Sequence, residues 1–293
     1  MDASTLCRRY GLGASHRAAP IHPGTVAQVW QASTPSGEVV IRTLTDRAQG
    51  EREFLICRHL ARQGFRQTPA ILTADGGAPA VEQDGTWYQI QQYLPGVRPD
   101  PAVPGVPGEI ARTAARLEAA LETCPPIRCP ADRFDLAAAW AEGRQGWSQL
   151  GLPLSLSQAD REVQHQTDAP THASQVIHGD MGLWNLLLDP NGTIWVIDFG
   201  EARMGDPYFD IASLLCGLLH QVPPERRWQT CSEFLAAYGE QSPLDRSQLA
   251  EQMALWEWRA LAQCARQGAA MAAAAAGFLH TLVWVKENLW TIN

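Results

Sequence analysis

The alternation of apolar and polar residues changes character along the chain. Its first part predicts a short helix at 2–10, a longer helix at 47–63, and strands at 16–23, 26–32, 38–44, 80–81 and 87–94. The later part has mainly a helical period, with helices predicted at 108–123, 134–150, 155–167, 223–239, 246–267 and 269–290. This order predicts an α+β fold in which an antiparallel sheet with one main helix precedes a larger, mostly helical region.

A segment rich in proline and glycine separates the two regions. Residues 95–108 contain five prolines and three glycines, the residue types that interrupt helices and strands. We therefore expect an N-terminal lobe at 1–94, a linker at 95–108 and a C-terminal lobe at 109–293, with a hinge at 91–96.

Composition narrows the classes of partner. The chain has 293 residues and a formal net charge of −8 without a run of Lys or Arg, so we expect no nucleic-acid partner.

Seven cysteines without a C-x-x-C pair indicate reduced thiols in a cytoplasmic protein. The N-terminus has no apolar run typical of a signal peptide. The uncharged, alanine-rich run 268–285 predicts a buried helix and no membrane partner; a monomer or dimer is expected.

One stretch, residues 176–200, concentrates polar groups that suit metal and phosphate chemistry. Asp180 follows an apolar strand, Asn185 lies five residues later, and Asp198 ends a second apolar run. Residues 189–192 have the sequence Asp-Pro-Asn-Gly, which is typical of a turn. A hairpin of 186–188 with 193–197 is therefore predicted to bring Asn185 and Asp198 to the same end, where both can offer oxygens to Mg²⁺.

The spacing of this stretch is that of the kinase pattern H-x-D-x-x-x-x-N followed by D-F-G. It is formed by His178, Asp180, Asn185 and, at 198–200, Asp-Phe-Gly. Any one of these residues alone is more often a helix cap or a solvated loop residue. Together they predict phosphoryl transfer, with Asp180 as the group that accepts a proton.

Upstream residues add candidates for binding phosphates. Arg42 ends the apolar run 39–41, where protein kinases place a Lys that pairs with a helix Glu. Glu51 and Glu53 are both available on the 47–63 helix, and Glu53 is preferred because Leu60 falls seven residues later on the same side. The alternatives are an exposed strand Arg and a solvated Glu.

Three further positions are candidates for nucleotide contacts. Gly24 lies where a loop could cover phosphates, although the G-x-G-x-x-G pattern is absent. Gln91 and Tyr93 lie in the predicted hinge, where backbone groups are available to an adenine edge.

Two residues near the motif, Asp210 and Trp184, have other predicted roles. Asp210 lies among apolar residues of a helix predicted to begin near Pro207, with Asp206 as its N-cap. A buried carboxylate needs donors, and the N–H groups of 178–185 are the expected ones. Trp184 either packs the loop down or stacks on a substrate ring.

In this order, these residues resemble the aminoglycoside phosphotransferase and choline kinase-like superfamily, which shares the protein-kinase fold. The resemblance rests on the H-G-D form at 178–180, on I-D-F-G at 197–200 and on G-D-P-x-x-D at 205–210. It implies that Asp180 is the catalytic base, that Asn185 and Asp198 hold Mg²⁺, and that Arg42 paired with Glu53 holds phosphates. His178 would be a framework residue and not a base.

The resemblance also implies a small-molecule substrate. Only five residues separate Gly200 from Asp206, too few for a peptide-binding activation segment. The predicted function is a phosphotransferase that depends on ATP or GTP and on Mg²⁺ and acts on a hydroxyl of a small molecule. The small molecule is an aminoglycoside or other antibiotic, in which case the enzyme would confer antibiotic resistance, or an amino sugar, or a choline- or homoserine-like alcohol. The alternative is a nucleotide-binding module of the same fold without transferase activity.

The acceptor is expected to bind between Asp180 and the C-terminal helices. Four carboxylates there are candidates to face an amine: Glu225, Glu233, Glu251 and Glu257. Two tryptophans beside Glu257, Trp256 and Trp258, could form an aromatic wall, with core packing expected for at least one of them. The acidic balance of the chain favours an aminoglycoside.

Overall fold

The structure is a computed structural model that describes residues 1–21, 27–128, 132, 134–169 and 174–291. Its contacts divide the chain into two units. The first comprises Met1–Arg98 with Leu186–Gly200, and the second comprises Pro99–Asn185 with Glu201–Asn293. The boundary at Arg98 lies inside the predicted linker 95–108, whereas residues 186–200, which the sequence analysis grouped with 109–293, belong with the first unit.

The first unit is built on an antiparallel sheet, as predicted. Its strands are β1 (Arg17–Ile21), β2 (Val29–Thr34), β3 (Gly37–Leu44), β4 (Val81–Gln83) and β5 (Thr86–Gln92), in the order β1-β2-β3-β5-β4. Two helices accompany the sheet: α1 (Ala3–Arg9) and α2 (Arg47–Arg62). The sheet therefore places β3 in the centre, between β2 and β5.

Helix α2 presents one face to the interior of this unit. Asp46 caps its start by accepting the Gln49 N–H at 2.8 Å. The buried face includes Glu53, Ile56 and Leu60, which are spaced for one side of a helix. The prediction that Leu60 would bring Glu53 inward is confirmed.

A short hairpin in the first unit leads to Asp198. Strands β7 (Leu186–Leu188) and β8 (Ile194–Val196) pair antiparallel, as predicted. Asp189 organises the turn, because its Oδ1 accepts the N–H groups of Asn191 at 2.8 Å and Thr193 at 2.9 Å.

The second unit is mostly helical. Its helices are α3 (Val106–Glu122), α4 (Leu136–Gly143), α5 (Leu156–Asp168), α6 (Tyr208–Gln221), α7 (Pro224–Gly239), α8 (Arg246–Gln267) and α9 (Ala272–Asn288). A two-stranded ladder of β6 (Gln175–Ile177) with β9 (Arg203–Gly205) joins them. Strand β9 was not predicted, because three residues are too few to show an alternation.

The predicted helix 134–150 is wrong in one respect: α4 ends at Gly143 and the chain continues as a 3₁₀ helix, Arg144–Leu150. The cause is close packing against α8. A Cβ atom on Gly143 would lie 2.7 Å from the carbonyl oxygen of Ala262, and one on Gly146 would lie 2.1 Å from that of Ala265. Glycine at both positions lets this segment approach the α8 backbone.

Three tryptophans fill the core beside that contact. The Trp147 and Trp258 rings stack with centroids 5.9 Å apart, and Trp140 meets Trp147 edge-on at 5.3 Å. Such ring pairs add to the burial of large apolar surface. The expectation that one of Trp256 and Trp258 serves the core is confirmed for Trp258.

Two features of the structure bear on the predictions of a buried helix at 268–285 and of reduced thiols. By length and composition alone, Arg246–Asn288 could cross a membrane, and 28% of its most apolar window is buried. The helix predicted to be buried at 268–285 is therefore buried on part of its surface only, at Ala275, Leu279, Thr281, Leu282 and Val285 in α9. The cysteines within the described ranges are free thiols, and all but Cys124 are buried; Cys129 lies outside those ranges.

Gly146→Ala is expected to lower the free energy of unfolding by about 1–3 kcal/mol, because the added methyl group overpacks the contact with α8. Urea denaturation measures this change. The matched control is Gly277→Ala inside α9, where no atom lies within 4 Å of the added Cβ; it should gain about 1 kcal/mol of helix propensity. Equal effects in the two variants would contradict the packing argument.

Candidate active site

Arg42 is the centre of a buried ion-pair cluster in the first unit. Its Nη1 donates to Glu53 Oε2 at 3.1 Å and its Nη2 donates to Asp198 Oδ1 at 2.9 Å. Strand β3, helix α2 and the end of the hairpin thus meet at one guanidinium. The predicted pairing of Arg42 with Glu53 is present in the structure, and the alternatives of an exposed Arg and a solvated Glu are not.

Burial and charge act in opposite directions on this cluster. Burial lowers the pKa of Arg42, but Glu53 and Asp198 more than offset it, so that its pKa lies above the usual value. Burial also raises the pKa of Glu53, and the attraction of Arg42 opposes this rise. Gln49 adds a neutral donor, because its Nε2 bonds to Glu53 Oε1 at 2.8 Å. Sequence analysis missed Gln49, although it lies one helical turn before Glu53.

Asp198 has an unusual backbone. Its φ angle is +65°, a left-handed conformation that Asp tolerates better than most residues. Its Oδ1 also accepts the Gly200 N–H at 3.2 Å, which supports this conformation. The side chain is 45% exposed, so the carboxylate is accessible from solvent while Arg42 holds one of its oxygens. Strained residues of this kind cluster at functional sites.

The hinge candidates are not equivalent in the structure. Gln91 is buried, and its Nε2 donates to Gln89 Oε1 at 2.6 Å. Its position in β5 pairs it with Val40 on one side and Ile71 on the other. The structure therefore places Gln91 within the sheet, and the predicted contact of its backbone with an adenine edge stays a prediction. Tyr93 follows the last residue of β5 and stays a candidate; Gly24 lies outside the described residues.

In the second unit, Asp210 anchors the loop that follows β6. Its two carboxylate oxygens accept the N–H groups of His178 at 2.6 Å and Gly179 at 2.9 Å, which confirms the predicted role. Burial raises the pKa of Asp210, and His178 and these N–H donors oppose the rise. Helix α6 begins at Tyr208 with Pro207 as its N-cap, so the prediction of Asp206 as the N-cap is wrong by one residue, although Asp206 Oδ1 accepts the Tyr208 N–H at 2.9 Å.

Steric contacts explain why the H-G-D motif has a glycine at position 179. Gly179 has a φ of +82°, and a Cβ there would lie 2.1 Å from Arg203 Nη1. That guanidinium donates to the Gly179 carbonyl oxygen at 2.7 Å. Sequence analysis missed Arg203, because its strand β9 has no pattern of its own. The side chain of His178 is fully buried, which fits a framework residue.

Asp180 is oriented by two donors from its own loop. Asn185 Nδ2 donates to Asp180 Oδ2 at 3.1 Å and to its carbonyl oxygen at 2.8 Å. The Trp184 indole Nε1 donates to the same Oδ2 at 3.3 Å. These contacts leave Oδ1 of Asp180 to face another group. Because the amide nitrogen of Asn185 must be the donor, its amide oxygen is the atom that can hold a metal ion.

Trp184 lies over a glycine. A Cβ on Gly182 would be 2.3 Å from the Trp184 ring, so only glycine allows the ring to occupy this place. The Trp184 side chain is 42% exposed in spite of its hydrogen bond to Asp180. Of the two predicted roles of Trp184, packing is therefore met only in part: one edge of the ring bonds within the loop, and much of its surface faces outward.

Asp180 and Trp184 line a cavity of about 190 Å³ in the second unit. Helix α8 supplies Trp256, Arg259 and Gln263 to its wall, and Phe209 comes from α6. Arg259 pairs with Asp132 at 2.9 Å, and burial lowers its pKa to about 10 while Asp132 opposes this. Arg259 was not predicted, since a single Arg on a helix carries no recognisable signal.

None of the four predicted glutamates is part of this lining. Glu257 is fully buried and bonds to His220 Nε2 at 3.0 Å. Glu233 accepts the Gly108 N–H at 3.2 Å, and Glu225 and Glu251 are exposed residues. The prediction that they approach a substrate amine beside Asp180 is therefore not supported.

Each of the two predicted metal ligands has a donor that suits Mg²⁺. Asn185, in the second unit, has an amide oxygen, and Asp198, in the first unit, has an exposed carboxylate; that the two hold one ion stays a prediction. Within the part of the chain that the structure describes, no group of three or more His, Cys, Asp or Glu residues could hold a metal. Mg²⁺ commonly uses one or two protein carboxylates together with phosphates and waters. A nucleotide also fits, because the buried Arg42 Nε is a donor without a partner among the described residues.

Comparison with known proteins agrees with the sequence motifs. A family model described as a phosphotransferase enzyme family matches residues 17–251. Among curated proteins no sequence matches the chain. One solved structure similar to this chain is an amicoumacin kinase in complex with AMP-PNP and Ca²⁺, with 13% identity and a TM-score of 0.72 over 98% of this chain and 94% of that one.

Two other solved structures are similar. A microcompartment-associated aminopropanol kinase has 18% identity and a TM-score of 0.70, covering 94% of both chains. An aminoglycoside phosphotransferase from Alicyclobacillus acidocaldarius has 18% identity and a TM-score of 0.63, covering 94% of this chain and 93% of that one. These matches confirm the predicted α+β kinase-like fold. Because the family model spans most of its length, the chain belongs to the phosphotransferase enzyme family, as predicted.

Proposed function

We propose that this kinase transfers the γ-phosphoryl group of ATP or GTP, with Mg²⁺, to a hydroxyl group of a small molecule. The observation that supports the proposal most strongly is the orientation of Asp180 in the wall of a cavity. Its Oδ2 is held by Asn185 and Trp184, so its Oδ1 is available to a hydroxyl group. Geometry of this kind is what general-base catalysis requires.

Asp180 has two tasks in this mechanism. It accepts a hydrogen bond from the acceptor hydroxyl, which aligns the oxygen for attack on the γ-phosphorus. As the new P–O bond forms and the bond to the nucleoside diphosphate breaks, Asp180 accepts the hydroxyl proton. Because such transfers depend mainly on positioning and charge, the two N–H donors that fix the carboxylate contribute to the rate.

The first unit supplies the groups for the nucleotide phosphates. Arg42 presents a fixed positive charge, and its buried Nε is a donor available to a phosphate oxygen. Asp198 of this unit offers a carboxylate oxygen that would hold Mg²⁺, and Asn185 of the second unit offers an amide oxygen for the same role. When bound, Mg²⁺ neutralises negative charge that develops on the phosphates. The similar amicoumacin kinase, whose complex contains AMP-PNP and Ca²⁺, supports a nucleotide together with a divalent cation.

The physiological setting is part of the proposal. An antibiotic, an amino sugar and a choline- or homoserine-like alcohol all carry the hydroxyl group that Asp180 requires. The free thiols of the described cysteines support a reducing compartment such as the cytoplasm. Transfer of phosphate to a panel of alcohols, detected as release of ADP or GDP above the rate without acceptor, tests the function.

Asp180→Asn is expected to lower kcat by about 10²- to 10⁴-fold, because the amide cannot accept the hydroxyl proton. Coupled ADP release with the best acceptor measures kcat, and calorimetry measures nucleotide affinity, which should not change. The matched control is Asp84→Asn, an exposed turn residue whose φ of +53° Asn also tolerates. Near-normal turnover of Asp180→Asn would contradict the mechanism.

Asp198→Asn is expected to weaken nucleotide binding by at least about tenfold in the presence of Mg²⁺, a change of about 1.4 kcal/mol. The substitution keeps the acceptor for the Gly200 N–H and tolerates the left-handed backbone. Without Mg²⁺ the affinity should not fall, because Arg42 loses one carboxylate and its charge is then more available to phosphate. Titration with and without Mg²⁺ distinguishes the cases; an equal loss in both would refute the metal role.

A further inference from the structure

The cavity at Asp180 continues into a larger one in the same unit. The second cavity holds about 530 Å³ and lies between α6, α8 and α9. The two cavities share Trp184, Trp256, Ala260 and Gln263 in their walls. They form one elongated groove that starts at Asp180, here called the acceptor groove and defined by Asp180, Trp184, Trp256, Gln263, Met271 and Phe278. A volume of about 300–1,000 Å³ is typical of sites for drug-sized ligands.

Aromatic rings form the walls of the acceptor groove beyond Asp180. The Trp256 and Phe278 rings contact edge-on with centroids 6.0 Å apart, and His220 meets Phe278 edge-on at 4.9 Å. Trp184 adds a partly exposed indole at the end near Asp180. Flat, apolar surfaces of this kind bind rings and alkyl chains through burial and stacking.

The histidine in this wall directs its polar atoms away from the groove. His220 Nε2 bonds to the buried carboxylate of Glu257 at 3.0 Å, and Nδ1 lies 3.4 Å from Thr281 Oγ1. Both ring nitrogens therefore have partners inside the helical core. The imidazole offers the groove an aromatic surface, and Glu257 beneath it is not accessible to a ligand.

The charges along the groove disfavour a polycation. Asp180 is the one carboxylate among the lining residues that the structure describes, and the cation Arg259 lies in the same wall. His220 also lies in the wall, with its ring nitrogens bonded inside the core. Four further polar side chains carry no charge: Ser213, Gln221, Gln263 and Gln267. A substrate with several ammonium groups would lose its hydration without gaining ion pairs, which is unfavourable.

We propose that the acceptor is an amphipathic alcohol whose uncharged ring or alkyl body lies along Trp184, Trp256 and Phe278. The inference rests on the proposed function, because the groove starts at the carboxylate that receives the hydroxyl group. Gln263 supplies amide hydrogen bonds midway along the groove, where the two cavities meet. The expected substrate is therefore an apolar, hydroxyl-bearing compound, and the aminoglycoside favoured by the acidic balance is not the expected class.

The test compares three sets of alcohols in a coupled ADP-release assay. They are phenyl-substituted alkanols of increasing chain length, aminoglycosides, and quaternary ammonium alcohols. KM should fall about fourfold for each added methylene, the equivalent of about 0.8 kcal/mol, until the groove is filled. A higher kcat/KM for either cationic set than for the phenylalkanols would overturn the proposal.

Substitutions in the groove separate substrate binding from chemistry. Trp256→Ala should raise KM for the phenylalkanols by about tenfold or more with kcat and nucleotide KM unchanged, and Trp256→Phe should restore part of the loss. The matched control is Trp228→Ala, an exposed tryptophan of α7 outside the groove. Gln263→Glu introduces a carboxylate without changing size, and should improve kcat/KM for amine-bearing alcohols relative to phenylalkanols. An unchanged KM in Trp256→Ala would contradict the proposal.

Failure of the proposed function would be distinguishable. If no alcohol gives ADP release above the background, the transfer reaction is wrong, and equilibrium binding of the same phenylalkanols by calorimetry then decides the substrate class. Binding to the wild type that is weakened in Trp256→Ala supports the groove as the site. Stronger binding of the cationic alcohols, or no binding of phenylalkanols, refutes it.

Discussion

A single buried guanidinium imposes the constraint on which the first unit depends. Moving a charge from water into the interior costs several kcal/mol unless it is paired with good geometry. Arg42 meets this requirement with one carboxylate on helix α2 and another at the end of the hairpin. The planar guanidinium reaches both at once through separate nitrogens, whereas the compact ammonium of a Lys bonds as a point charge. The substitution of Arg for the usual kinase Lys is therefore consistent with a bridging role.

In the second unit the buried carboxylate of Asp210 is stabilised by backbone N–H donors. Asp210 accepts two adjacent N–H groups of the loop, so the loop reaches Asp180 with little conformational freedom. Two glycines then admit groups that any side chain would exclude: the Arg203 guanidinium at Gly179 and the Trp184 ring at Gly182. The result is a carboxylate with one oxygen bonded within the loop and the other available.

Much of this arrangement is predictable because it depends on local rules. The pairing of Arg42 with Glu53 follows from a strand end and a helical period, the hairpin follows from the turn sequence Asp-Pro-Asn-Gly at 189–192, and the role of Asp210 follows from burial of a carboxylate. The less predictable features depend on distant contacts. Gln91 is buried where β5 pairs with Val40 on one side and with Ile71 on the other.

Other long-range contacts also give no signal in the pattern of apolar and polar residues. The helix predicted at 134–150 breaks because the backbone of α8 approaches Gly146. Glu257 can be buried because its carboxylate forms a hydrogen bond in the core with His220, which lies 37 residues earlier. The net negative charge of the chain favours a cationic substrate. The lining of the acceptor groove, however, contains one carboxylate among its described residues, so the net charge does not describe this site. A net charge describes the whole surface, and a specific pocket follows from the few side chains that packing places there.

We expect Arg42 to act on the nucleotide as a guanidinium that Glu53 holds in place. A double-mutant cycle of Arg42→Lys and Glu53→Gln, with the dissociation constant of the Mg²⁺–nucleotide complex measured by calorimetry, tests it most directly. The account predicts a coupling free energy of about 1–3 kcal/mol, because either single change already removes the fixed geometry. Additive losses, within about 0.5 kcal/mol, would show that the two residues act independently and would contradict the account.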